Sequence, residues 1–88
     1  MEERKYAYMV RYSSGETVCI MWHLGKYSVA RLYKKKGNTM TYVLRQYKTL
    51  SGAERFLKSR SFAEDESSVP EYFYGTEKEI KEGKYWRE

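Results

Sequence analysis

Nucleophilic catalysis needs a base within hydrogen-bond reach of a nucleophile. The sequence of 88 residues offers one cysteine and one histidine, Cys19 and His23. Both fall in a run that reads as a β-strand, where four residues span roughly 13 Å, so they form no dyad. The same two residues are too few for a structural zinc, and a single cysteine closes no internal disulfide. Cys19, between Val18 and Ile20, reads as a buried and inert thiol, and His23 as a surface residue at a strand end. Glu64, Asp65 and Glu66 lack the ligand spacing of a calcium loop, and no glycine-rich phosphate loop is found. With Ser67 and Ser68 they read as a solvated acidic loop. The expectation is a protein that is not an enzyme, with no catalytic residue, metal site or cofactor.

Binding chemistry is better represented. Lysine and arginine number 17 against 12 acids, a net charge of +5. The excess is uneven: residues 1–60 hold thirteen basic residues and four acids, residues 61–88 four basic residues and eight acids. Such asymmetry reads as a basic working body with an acidic appendage. Tyrosine supplies ten of the aromatics, beside two tryptophans and three phenylalanines. Its ring stacks or packs while its hydroxyl hydrogen-bonds. Apolar residues at 41% exceed what a disordered chain carries, despite a mean hydropathy of −0.87. No apolar run approaches the roughly 20 residues of a membrane span, and the start lacks the apolar core of a signal peptide. A cytoplasmic protein with no membrane partner is expected.

These residues need a scaffold, and the chain order implies one. Lys5–Tyr12 and Thr17–His23 are rich in Tyr, Val and Ile and flank Ser13-Ser14-Gly15-Glu16, so they read as a β-hairpin. Tyr27–Lys34 and Met40–Tyr47 read as a second hairpin around Lys35-Lys36-Gly37-Asn38. Leu50, Ala53, Phe56 and Leu57 then recur at helical spacing within 49–60. Either Thr49 caps this helix, or Ser51 and Glu54 form a capping box. After a loop to Pro70, Glu71–Tyr74 reads as a short edge strand or docking segment. Thr76 with Glu79 and the stop at Gly83 predict a second helix of about two turns. Trp86 reads as a terminal latch. The expected fold is α+β: a four-stranded antiparallel meander packed by one helix, with a short C-terminal helical appendage. Residues 1–60 form the basic sheet and helix, and residues 61–88 the acidic segment appended to the same domain.

Register decides which face is free. A three-residue loop Lys36-Gly37-Asn38 sets Lys35 opposite Thr39. Tyr27, Val29, Arg31 and Tyr33 then share a face with Thr41, Val43, Arg45 and Tyr47, and the helix takes Ala30, Leu32, Met40, Tyr42 and Leu44. A two-residue turn Gly37-Asn38 slips the strands by one and clusters Tyr27, Val29, Tyr33, Tyr42 and Leu44, with Arg31 among them, as core. The first is preferred because it keeps the Arg31 charge out of the core.

Residues 25–62 also resemble a known module. Gly25-Lys26-Tyr27, the Lys-Lys-Gly-Asn turn, and Tyr47-Lys48-Thr49 followed by Ala53, Phe56 and Leu57 are similar to the AP2-like fold. That fold includes the arm-site DNA-binding domains of phage and transposon integrases. The resemblance implies that an aromatic-x-Thr step caps a helix whose alanine packs close to a three-stranded sheet, the other sheet face entering DNA. The strand after Gly25-Lys26-Tyr27 alternates out of step with the family's charged DNA face, so no family contact residue is carried over. With no recombinase domain, the chain would be a free-standing accessory module.

The functional expectation is a non-catalytic protein that engages DNA or RNA through an arginine–tyrosine sheet face. Arg31, Arg45, Lys34, Lys35 and Lys36 would meet phosphates, and Tyr33 and Tyr47 would stack or pack on bases and sugars. The alternative expectation is a small phage or mobile-element protein, anti-CRISPR-like, that inhibits a host defence or transcription complex by binding a host protein or ribonucleoprotein, with tyrosines and Trp86 as hot spots. A homodimer through a strand edge is a third. The acidic segment is expected to fold back over the basic face and compete with polyanions.

Overall fold

Val10, Tyr12, Val18, Ile20 and Val29 are each no more than 2% exposed, and they define the side of the sheet on which the first helix packs. They stand at alternate positions of β-strands, as the period of two requires, and the residues between them are largely buried on the opposite face. The computed structural model describes residues 3–59, 61–62 and 67–83. Among them are β1 (Lys5–Tyr12), β2 (Thr17–His23), β3 (Lys26–Lys35), β4 (Asn38–Tyr47), α1 (Leu50–Ser59), β5 (Pro70–Thr76) and α2 (Glu77–Glu82). The fold is α+β. The first four strands form the expected antiparallel meander, and β5 joins its β1 edge to give the order β4-β3-β2-β1-β5.

Thr49 caps α1, its Oγ1 accepting from the Gly52 amide at 3.2 Å. Leu50, Ala53 and Leu57 are buried against the sheet. Glu54 does not complete a capping box with Ser51. It turns inward, and its Oε2 accepts from the Ala7 amide at 2.8 Å. Ala7 lies where the β1–β5 register slips by one residue between Ala7 and Met9. Such a bulge interrupts the backbone ladder, and here the carboxylate supplies an acceptor.

Residues 67–83 of the acidic segment are built into the core, which corrects the expectation that the segment lies over the basic face. β5 pairs with β1 along its whole length, Tyr72 and Phe73 pack against the core, and Ile80 of α2 is 1% exposed. α2 carries both predicted caps. Thr76 Oγ1 accepts from the Glu79 amide, Glu79 Oε1 accepts from the Thr76 amide, and Gly83 closes the helix at φ 68°. Glu64, Asp65, Glu66 and Trp86 lie outside the described residues.

The second hairpin adopts neither predicted loop. Lys35 pairs with Asn38 around the two-residue turn Lys36-Gly37, whose φ values of 52° and 83° are those a tight β-hairpin turn requires. Leu44 is then skipped: Ala30 faces Val43, but Val29 faces Arg45. The base of the hairpin has the preferred register, with Tyr27 opposite Tyr47, while the outer part is slipped by one, with Arg31 opposite Tyr42. Tyr27, Val29, Arg31 and Tyr33 therefore share a face with Arg45 and Tyr47, as expected, but with Met40 and Tyr42 in place of Thr41 and Val43.

Candidate nucleic-acid interface

That shared face is the one α1 covers. Tyr47 packs on Phe56 of the helix with ring centroids 6.0 Å apart, and the Arg45 guanidinium lies 5.4 Å from the same ring. A Cβ at Gly52 would stand 3.0 Å from the Tyr47 ring, so any larger residue there would push the ring back by a few tenths of an ångström. Arg31, expected on an open face, lies at the covered edge. Its Nε is 2.9 Å from Glu16 Oε2, and its Nη2 donates to the Phe62 carbonyl at 2.9 Å. The half-buried charge is tolerated because an acid and a carbonyl compensate it. Glu16 sits in the β1–β2 turn, and the pairing of Val18 with Arg31 brings that turn beside Arg31.

Beyond Leu32 the hairpin leaves the sheet. β2 begins at Thr17, opposite Leu32, so from Tyr33 outward β3 and β4 have no third strand of the sheet beside them. This two-stranded arm carries Lys34, Lys35 and Lys36, all exposed. It also carries Tyr33 and Met40, 42% and 43% exposed, and Tyr42, 62% exposed, stands at its base opposite Arg31. Tyr33 stands opposite Met40, and Lys35 opposite Asn38, on the face that holds Tyr42.

Of the seven expected site residues, the arm brings together Tyr33, Lys34, Lys35 and Lys36. Arg45 is exposed at the arm's base beside α1, Tyr47 is half-buried against Phe56, and Arg31 is engaged by Glu16 and Phe62. Tyr42 and Met40 escaped sequence reasoning because the slip at Leu44 exchanges the faces of the outer half of β4. A further feature is legible once the arm is known: from Thr17 to Ala53 the chain contains seven lysines and arginines and no acid. Positive charge is therefore uncompensated along the arm itself, and such a surface raises the local concentration of anionic ligands.

The residues first tested for catalysis stay apart from this arm. Cys19 is fully buried on the central strand β2, where burial pushes its thiol up to about 12. His23 is exposed at the end of the same strand. No helix among the described residues is long and apolar enough to cross a membrane. In comparisons with known proteins, no family model, no curated protein and no solved structure matches the chain.

Proposed function

We propose that this protein is a non-catalytic nucleic-acid-binding protein whose contact element is the β3–β4 arm. The observation that carries the reading is the coincidence of three consecutive lysines with exposed Tyr33 and Met40 on one projecting ribbon and exposed Tyr42 at its base. Lysines position a ligand through its phosphates, and exposed aromatics meet bases and sugars. Arg45 at the arm's base extends the positive surface toward α1. Arg31 supports the arm through Glu16 and the Phe62 carbonyl, and is a positioning residue rather than a phosphate contact.

Fluorescence anisotropy of labelled oligonucleotides at 50, 150 and 300 mM salt tests this. Affinity is expected to fall steeply with salt, because each neutralised phosphate releases counterions. Changing Lys34, Lys35 and Lys36 together to glutamine should flatten the slope by about 0.7–0.9 for each lysine that meets a phosphate. An unchanged slope in that triple variant would remove the arm from the interface.

A second reading, a protein–protein module, is favoured by a different observation. β4 is the last strand of the sheet, and Met40, Tyr42 and Val43 are exposed along it. Such an edge accepts an added strand from a partner, whether an inhibited host protein, a ribonucleoprotein or a second copy of the chain. Sedimentation across a concentration range tests the last of these: a monomer throughout removes self-association.

A further inference from the structure

We infer that the ligand of the arm is a single strand of nucleic acid, with two unpaired bases stacked on Tyr33 and Tyr42. The inference rests on the nucleic-acid reading above and narrows it. Tyr33 faces Met40 and Arg31 faces Tyr42, which makes the two tyrosines diagonal neighbours on one face. Diagonal cross-strand positions are about 7–8 Å apart. That is about twice the 3.4 Å rise per nucleotide in a stacked strand, so adjacent bases reach both rings only when pulled out of their stack.

Charge brackets the platform on the same face. Lys35 lies one position outward of Tyr33 on that face, opposite Asn38, and Arg45 lies inward of Tyr42 beyond the slip at Leu44. A strand running along the arm would meet a cation, two rings and a second cation in turn. Single-strand binders combine these same two elements, a positive track and aromatic platforms. Elsewhere in the sheet Tyr8, Tyr12 and Tyr27 are each at most 5% exposed, and Tyr74, 49% exposed, has the Lys58 ammonium over its ring. Tyr42, at 62%, gives its ring to solvent.

A duplex fits the arm less well. Reading base edges in a groove calls for arginine, lysine, asparagine, glutamine, serine or threonine presented along the ribbon. On the face of Tyr33 and Tyr42 the arm presents two such residues, Lys35 and Asn38, and both flank the turn at its tip. The bulky face of Tyr33, Met40 and Tyr42 would meet groove walls rather than base faces.

The test titrates the full chain with a labelled ten-nucleotide thymidine strand and with a duplex of equal length at one salt concentration. The strand is expected to bind at least about tenfold more tightly than the duplex. Tyr42→Leu and Tyr33→Leu should each weaken strand binding about tenfold, because each removes one stacking platform, while Tyr42→Phe keeps the ring and the affinity. Both positions are substantially exposed, and circular dichroism of each variant reads the fold separately. Equal or tighter duplex binding overturns the inference and leaves the nucleic-acid reading standing, as does strand binding indifferent to both leucine variants. No binding to either oligonucleotide at 50 mM salt overturns both.

Discussion

Glu54 of α1 accepts a hydrogen bond from the Ala7 amide of β1 at 2.8 Å, across 47 residues of chain. One carboxylate thus ties the helix to the sheet and satisfies a backbone donor where the β1–β5 ladder slips. Arg4 at 3.4 Å and Lys58 at 3.8 Å approach the same carboxylate, but their side chains are about half exposed or more and contribute little. The backbone bond is the consequential one, since an unsatisfied buried donor costs about 1–3 kcal/mol.

Glu54→Ala should therefore lower stability by about 2 kcal/mol, and the melting temperature by about 10 °C for a domain of this size. Glu54→Gln keeps an acceptor and should recover most of the loss. A thermal scan of the two variants decides the matter: equal melting temperatures for alanine and parent would show that water replaces the carboxylate.

Ile80 supplies the second prediction. Its side chain is fully packed in the core, so Ile80→Ala should cost about 2–5 kcal/mol. Removing the chain from residue 70 onward strips β1 of its partner strand and should unfold the protein. A truncated chain that folds and binds oligonucleotides more tightly would restore the view of this segment as a detachable competitor for polyanions.

Alkaline pH should weaken the fold in a defined direction. The Cys19 thiol is raised to about 12 by burial, and the Tyr27 hydroxyl is raised by burial and by its hydrogen bond to Glu77. Ordinary values are about 8.5 and 10. Once pH passes those values the unfolded chain releases protons that the folded chain retains, so the free energy of unfolding falls. Stability is fully present below about pH 8.5 and falls as pH rises, first through Cys19 and then through Tyr27. Urea midpoints at pH 8, 9.5 and 10.5 measure it, and Tyr27→Phe should flatten the upper part of the decline. The same burial predicts that native Cys19 is alkylated only as fast as the protein opens. Rapid labelling in native buffer would contradict its placement on the central strand.

The local signals and the long-range ones divided cleanly in this chain. Both ends of β1 and β2, the Thr49 cap, the Leu50–Ala53–Leu57 stripe and the Thr76–Glu79 box all depend on residues within a few positions, and all are readable in the sequence. The role of Glu54 was not readable, because the amide that claims it lies 47 residues away. The cost of a buried charge argues for Arg31 on an open face. Glu16, from a turn across β2, removes that objection. One unpaired residue, Leu44, then moved Met40 and Tyr42 onto the face of Tyr33 and Lys35. Period-two patterns carry no mark of a single inserted residue, so the candidate site was legible in its lysines and Tyr33 but not in Tyr42.

Lys36 tests the turn behind that slip. Its φ of 52° is left-handed, a region where lysine is strained and asparagine or glycine is at ease. Lys36→Asn should therefore stabilise the arm by several tenths of a kcal/mol, by forming the Asn-Gly pair that tight hairpin turns favour. Lys36→Val should destabilise by about 1 kcal/mol or more, since a β-branched side chain resists positive φ. Amide hydrogen exchange at Tyr33, Lys35 and Met40 reads the effect locally, with slower exchange expected in the asparagine variant. If valine were tolerated as well as asparagine, the turn would not be centred on Lys36-Gly37, and Tyr42 would lose its place beside Tyr33.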